Sequence, residues 1–373
     1  MKVAAALSGG VDSSISALLL REAGYEVLGI HMRLRDSTGP DHQAHQTESI
    51  CSTLNIPFYT IDLETEFERY VDDYFCQEYK QGRTPNPCIA CNRHIKFGLL
   101  LDKALSLNAD YLATGHYARI MGSNDGYHLL KATDASKDQS YFLYNLNQKK
   151  LKHILFPLGD YTKAEVRQIA KRGGLPVATR SSQDICFVSQ KNYRSFLSQR
   201  FLTSPGDIAD IEGRKLGCHK GIAFYTVGQR HGLGLASGKP LYVIKIEPER
   251  NRIVLGSEKE LYSQKVTASS LNWVCEPPSE PIAITAKIRY KSREAKATLF
   301  PTRGLLTGEA TSDIWFSQPQ RAVTPGQAIV FYKGDDVIGG GIIESSQLTT
   351  LQSNQNVTLN EVKGLKDSSW SLS

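Results

Sequence analysis

The 373-residue chain contains no run of ~18 apolar residues, so no membrane-spanning helix is expected. Cysteine is sparse and odd in number, seven in all, and only Cys88 and Cys91 cluster. That excludes a disulfide-built scaffold and leaves thiol chemistry or metal binding as the readings for the pair. Neither sign of charge dominates. The net charge of +6 is compatible with an RNA partner but is shared by many soluble enzymes. The lysine of a GxxxxGK[ST] phosphate loop is missing, GxGxxG is missing too, and there is no internal repeat. No leader precedes the first apolar run, so a cytoplasmic location is expected.

What is present is enough apolar residue, 40%, for globular cores, and a length that calls for two or three domains. Up to about residue 203 the pattern alternates between short apolar runs and helical periodicity, as in a parallel α/β sheet. Strands are predicted over Val3–Leu7, Val27–Met32, Pro57–Asp62 and Tyr111–Thr114, with helices over Glu64–Gln81 and His94–Leu107. Thr162 and Glu165 make a capping box for a later helix that ends at Gly173-Gly174. From Ser204-Pro205-Gly206 the chain turns to short β signals. "PLYVIKIEPERNRIVLGS" and "IVFYKGDDVIGGGII" read as hairpins, with a bulge or tight bend at Gly339 to Gly341. The expected domains are 1–203 (catalytic), 204–270 (central β-rich) and 271–345 (β-barrel), with a disordered polar tail over 346–373.

The stretch "ALSGGVDSSIS" follows the first strand and opens a helix marked by Ile15, Leu18 and Leu19. Gly9 and Gly10 permit a tight turn and a close ligand. The free amides and dipole of the helix end favour an anion such as pyrophosphate. Ser8 and Ser13 can donate hydroxyls and Asp12 can hold Mg²⁺. "GRTPNPCIACNRHIKF" places Cys91 just before a basic helix predicted to start near Asn92. There the dipole, Arg93, His94 and Lys96 would lower its pKa. A zinc half-site, an iron–sulfur ligand set, a redox pair or a buried structural thiol are the other readings of this CxxC. Cys186, between Ile185 and Phe187, reads in isolation as a core residue. Gly115 and His116 follow a strand, at the end where parallel sheets bind ligands. Lys137, Asp138 and Gln139 precede Tyr141 and Phe142. In "KIRYKSREAK" a period of two would put Lys287, Arg289, Lys291 and Arg293 on one strand face, as a basic strip for phosphates.

Taken in order, "SGGVDSS", "GRTPNPCIACN", "ATGHYAR", "KDQSYFLY", "DICFV", "YTVGQRHGLG" and "TPGQAIVFY…IGGGII" resemble the tRNA-specific 2-thiouridylase family, within the PP-loop ATP pyrophosphatases. The resemblance implies an α/β fold: a parallel-sheet, adenine-nucleotide α-hydrolase-like PP-loop domain, two small β-rich modules after it, and the last of them a β-barrel. It implies ATP with Mg²⁺, bound by Ala6, Leu7, Ser8, Gly9, Gly10, Val11, Asp12 and Ser13, with Met32 and Gly115 completing the site. It implies that Cys91 is the nucleophile and that Cys186 carries a persulfide loaded by a cysteine desulfurase or a relay protein. A transient Cys91–Cys186 disulfide would follow sulfur delivery to C2 of the wobble uridine. Asn86, Pro87 and Cys88 would face the target base. His116, Lys137, Asp138, Gln139, Arg289, Tyr290 and Gln327 would contact tRNA. The family's pattern has aspartate where this chain has Cys88. No resident metal and a monomer are expected. Another PP-loop synthetase or sulfurtransferase, or a non-catalytic RNA-binding protein, are the alternatives.

Overall fold

Val3, Ala4 and Ala5 are essentially inaccessible to solvent, the mark of a strand covered on both faces. A computed structural model, which describes residues 1–35, 41–175, 186–188, 193–236, 238–301 and 310–348, places them in β1 (Lys2–Leu7) at the middle of a parallel sheet. Its partners are β2 (Glu26–Arg33), β3 (Phe58–Asp62) and β4 (Tyr111–Ala113). A hairpin of β5 (Arg119–Ser123) and β6 (Gly126–Leu130) then leaves the sheet, and β7 (Ile154–Leu155) returns to it. The order is β3-β2-β1-β4-β7. Side chains alternate across it. Val3, Ala5, Leu7 and Val27 meet α1 (Val11–Glu22) and α2 (His42–Leu54) on one face. Ala4, Ala6, Leu28 and Ile30 meet Phe97, Leu100 and Ala104 on the other. Strand order reverses beside β1, so a crevice opens at the carboxyl ends of β1 and β4.

Two long helices flank that crevice. Residues 64–80 form α3, in which Glu68–Asp72 is a π turn. Residues 87–106 form α4, in which Cys91–Leu100 has π pairing and Phe97 departs from helical angles. π turns are rare and concentrate at functional sites. α4 begins at Pro87, not near Asn92 as expected, because proline at the first helical position is pre-set for helix entry. α5 (Lys163–Gly173) has the predicted capping box, and Gly174 closes it in the left-handed region at φ 59°. The four predicted strands are present, each shifted by at most a residue or so at its ends.

After α6 (Tyr193–Arg200) comes a four-stranded sheet of β8 (Gly206–Ala209), β9 (Lys215–His219), β10 (Tyr242–Glu247) and β11 (Arg252–Gly256), in the order β10-β11-β8-β9. β10 and β11 are the expected hairpin. β12 (Tyr262–Trp273), β13 (Ile282–Lys287), β14 (Ala295–Leu299), β15 (Ser312–Arg321), β16 (Ala328–Lys333) and β17 (Asp336–Leu348) form a sheet that β12–β17 pairing closes into a barrel. β12 runs through residue 270, so the barrel's sheet takes in residues from 262 onward. β17 continues to Leu348, into the segment expected to be tail. The rest of that tail, 349–373, lies outside the described residues. The glycine run of β17 has a packing cause. A Cβ on Gly340 would lie 2.6 Å from the Ile329 carbonyl oxygen and 2.7 Å from the Tyr144 ring. The bulge expected at Gly339 to Gly341 is not in the β16–β17 ladder: those glycines pair in register with Phe331, Val330 and Ile329, and the register shift falls just before them, at Ile338. β13 ends at Lys287, and residues 288–292 form the bend and turn into β14. The period-two basic strip therefore does not exist as a strand face. One feature was not foreseen: the β5–β6 hairpin of the first domain joins the barrel's sheet through Asp336 and Leu130.

Candidate active site

At the end of β1, Gly9 turns the chain at φ +74°, and Gly10 precedes α1 without any side chain capping the helix. The loop is stitched internally. The Ser13 hydroxyl accepts from the Ser8 amide (3.2 Å) and donates to the Gly10 carbonyl (3.1 Å). Gly115, just after β4, lies against the first turn of α1: a Cβ there would be 2.7 Å from the Ser13 amide nitrogen. Uncapped amides, a positive helix end and glycine on both sides make a cradle of the right chemistry for a pyrophosphate. Met32 is half-buried at the carboxyl end of β2.

Two residues of this cradle were missed from sequence. The Asp12 carboxylate is ion-paired with the Lys163 ammonium and accepts from the Tyr117 hydroxyl at 3.0 Å. Burial, then Asp12 itself, push the Tyr117 phenol up, so it stays a neutral donor. A signal for Lys163 was available: a lysine in the first turn of α5 opposes the helix dipole, and such a local violation asks for a partner elsewhere.

The cysteine region lies on α3 and α4. Cys88, in the first turn of α4, is exposed. Cys91 is buried in an apolar cluster with Phe67, Phe75, Ile95, Phe187 and Val188. Phe187 anchors the neighbouring Cys186. Its ring lies edge-on to Phe67 (5.7 Å), Phe75 (5.4 Å) and Phe196 (5.4 Å), with the Arg35 guanidinium 5.2 Å from its centre. Arg35 is in turn ion-paired with the buried Asp72, at the end of the π turn of α3. Cys186 itself is exposed, not core as its local sequence suggested. Surrounding protein still raises its thiol pKa, with Lys96 and Arg35 opposing.

The expected depression of the Cys91 pKa is not found. Burial pushes the thiol up to about 12, with Lys96 acting against it. The reason is the helix start. With α4 beginning at Pro87, Cys91 lies beyond the first turn, where the dipole has little reach, and exposed Arg93 points elsewhere. The fields of Cys186 and Lys96 reach both Cys88 and Cys91, so the structure brings the three thiols into one neighbourhood around one lysine. Lys96 also acts on His116, which adjoins Gly115 of the cradle. Among the described residues, no group of three or more His, Cys, Asp or Glu side chains is gathered to hold a metal ion.

The residues expected at tRNA divide into two kinds. His116 is buried between Phe97 and Phe156 with Nδ1 2.6 Å from the Thr114 hydroxyl. Burial lowers its pKa well below the usual value, so it is neutral. Asp138 is buried, accepting from Ala132 N, Ser140 N and the Ser140 hydroxyl. Gln139 exchanges hydrogen bonds with the Tyr117 backbone. Gln327 donates to the Thr84 carbonyl at 2.8 Å. These four are spent on internal contacts. Arg289 is exposed and Lys137 half-buried in turns, and Tyr290 packs on Phe142 at 4.4 Å. Asn86 is half-exposed ahead of α4 and its side chain caps nothing, while Pro87 is buried. The "GQRHGLG" loop lines an open concavity of about 660 Å³ with Arg230, His231 and Lys239 on its wall.

Comparison with known proteins agrees with this architecture. Residues 1–190 match a family model described as a tRNA methyl transferase HUP domain, 194–257 a tRNA methyl transferase PRC-barrel domain, and 263–343 an aminomethyltransferase beta-barrel domain. The chain is 48% identical to the tRNA-specific 2-thiouridylase MnmA of Moorella thermoacetica over 357 residues, 91% of this chain and 98% of that protein. It is 47% identical to the protein of the same name from Carboxydothermus hydrogenoformans over 361 residues, 92% of this chain and 97% of that one. Among solved structures it is similar to the U34-tRNA thiolase NcsA from Methanococcus maripaludis with its [4Fe-4S] cluster. That match has a TM-score of 0.34 and 20% identity, covering 54% of this chain and 64% of that one.

Proposed function

The chain belongs to the tRNA-specific 2-thiouridylase family, and from that premise we propose that it replaces the C2 oxygen of the wobble uridine in tRNA with sulfur, using ATP. It is a tRNA-uridine sulfurtransferase. The uracil C2 oxygen is a poor leaving group, and transfer of AMP onto it with release of pyrophosphate makes it a good one. In the cradle, the amides after Gly9 and Gly10 and the Ser8 hydroxyl hold the departing pyrophosphate, with Lys163 within reach of it. Asp12 together with phosphate oxygens suits Mg²⁺, which accepts one or two carboxylates alongside phosphates and would neutralise phosphate charge. Gly115 keeps β4 close enough to close the cradle.

Sulfur arrives as a persulfide on the exposed Cys186, loaded by a cysteine desulfurase or a relay protein. The Cys91 thiolate attacks the Cys186 sulfur. A Cys91–Cys186 disulfide forms, the outer sulfur leaves as HS⁻, and HS⁻ displaces AMP from C2. A dithiol then reduces the disulfide by two electrons. An anticodon-loop base is single-stranded, so swinging it into the crevice costs little stacking energy. The exposed Cys88 and Arg289 and the basic wall of the central module face that RNA. No helix among the described residues is long and apolar enough to cross a membrane, and the reading is of a cytoplasmic monomer.

The observation that carries this reading is that Cys91 shares one apolar cluster with Phe187 and Val188, the residues next to Cys186, while Lys96 acts on Cys88, Cys91 and Cys186 and on His116 beside the Gly115 side of the cradle. The test is incubation of purified enzyme with tRNA, ATP, Mg²⁺ and a protein persulfide donor, followed by mass analysis of the nucleosides. 2-Thiouridine at the wobble position is expected from the wild type and none from Cys186→Ser. Undiminished product from that variant would refute the assignment.

A further inference from the structure

All three modules meet on one short stretch, residues 82–86, immediately before the helix that carries Cys88 and Cys91. From the first domain, the Arg83 guanidinium donates through Nε to Glu78 at 2.8 Å, and the Arg83 amide donates to the Glu78 carbonyl at 2.9 Å. From the barrel, Glu344 takes both terminal nitrogens of the same guanidinium, at 2.5 and 3.1 Å, and is itself held by the Ser269 hydroxyl. The barrel corner 325–327 lies flat on the next residues. Thr84 N donates to Pro325 O at 2.8 Å, and Gln327 Nε2 donates to Thr84 O at 2.8 Å. Gly326, at φ +89°, has no room for a Cβ, which would sit 2.8 Å from Thr84 N. From the central module, Ile246 packs so tightly on Gly82 that a Cβ there would be 2.6 Å from its Cγ2, and the Thr226 hydroxyl pairs with that of Thr84 at 3.3 Å.

We propose that Arg83 is a positioning residue of the thiolation site, and that its two-pronged ion pair with Glu344 makes the barrel set where the Asn86-Pro87-Cys88 loop stands. Only Pro85 separates Thr84 from Asn86, and Pro87 is the first residue of α4. A displacement at Arg83 is therefore passed to Cys88 and the start of α4 without slack. Of the loop's side chains only Pro87 is buried; Asn86 caps nothing, and Cys88 is exposed. A half-buried guanidinium shared by two carboxylates is a poor source of net stability, because desolvation offsets the attraction. A planar fork gripping one carboxylate at two points does fix position.

The inference rests on the thiolation reading, and the experiment separates the two. Arg83→Gln, Arg83→Lys and the isosteric Glu344→Gln are compared with the wild type by single-turnover formation of 2-thiouridine at saturating tRNA and ATP. ATP affinity, tRNA affinity and thermal midpoint are measured in parallel. Glu344→Gln and Arg83→Gln are expected to lower the single-turnover rate by about 10- to 100-fold, the effect of an ångström-scale displacement at a reacting centre. ATP and tRNA affinities should stay within about twofold. Arg83→Lys should recover part of the rate. Iodoacetamide should alkylate Cys88 faster in the two neutral variants, as the loop leaves its seat. Folded Arg83→Gln and Glu344→Gln proteins that keep wild-type rates would overturn the proposal while leaving the function standing. A wild type that makes no 2-thiouridine would overturn the function instead.

Discussion

Replacing Lys96 with methionine keeps the unbranched apolar stem of the side chain and deletes its terminal ammonium and one positive charge. Burial has raised the Cys91 thiol from 9.0 to about 12, with Lys96 already opposing the rise. At pH 8 only about one Cys91 in ten thousand is then ionised, since each pKa unit is a factor of ten. Lys96 follows Cys91 by five positions, about one turn of the π-paired stretch, and the spacing of neighbours one turn apart sets a separation of roughly 6 Å. At that separation and an effective dielectric of about 20, a unit charge contributes about 2.8 kcal/mol, or roughly two pKa units. Lys96 is half-exposed, and solvent screening brings this to about one unit. Removing the charge takes the Cys91 pKa higher still. Below that pKa the thiolate fraction falls, and the sulfur-transfer rate falls about tenfold at every pH. The assay is single-turnover thiolation with preloaded Cys186 persulfide between pH 6.5 and 9. Both proteins should show rates rising about tenfold per pH unit, on parallel lines. A rate for Lys96→Met within twofold of wild type, or a wild-type rate flat across this range while sulfur transfer limits turnover, would refute the reasoning.

Gly115→Ala places a Cβ where the Ser13 amide nitrogen is 2.7 Å away, and the obstacle is backbone, so α1 must move; ATP affinity measured by calorimetry should fall at least about tenfold with the fold retained. Among the described residues, Lys163→Met leaves Asp12 with the Tyr117 hydroxyl as its side-chain partner, and the KM for ATP should rise about tenfold while tRNA affinity in filter binding is unchanged. The fully buried Cys51 thiol is raised from 9.0 to about 11, so between those values the folded state holds a proton that the unfolded chain has lost. That contribution is intact below pH 9 and is lost as pH rises to 11, roughly 3 kcal/mol in all. Urea unfolding of Cys51→Ala should therefore show a shallower alkaline decline than wild type.

How far the sequence reaches is seen residue by residue. The turn at Gly9, the capping box of Thr162 and Glu165, and the β10–β11 and β16–β17 hairpins depend on neighbours a few positions away, and all were legible. The π turns of α3 and α4 were not, because no local pattern distinguishes them from an ordinary helix. The supposed basic strip failed because a period of two describes a strand only where a strand persists, and β13 stops at Lys287. Lys137, Asp138 and Gln139 were expected at tRNA, yet Asp138 is buried and Gln139 is paired with Tyr117 across 22 positions.

The sequence by itself determined the glycine turn after the first strand and the order of the modules, because glycine torsions and periodicity are properties of short stretches; for Cys186 the local sequence pointed to a core residue, and only the family resemblance singled it out. The tertiary structure alone decided their environment. It paired Asp12 with Lys163 across 151 positions and Arg83 with Glu344 across 261. It also buried Cys91 against Phe187, turning a thiol expected to be acidic into a weakly acidic one. Desolvation and ion pairing depend on what lies within a few ångströms, and that is settled by packing between segments far apart in the chain.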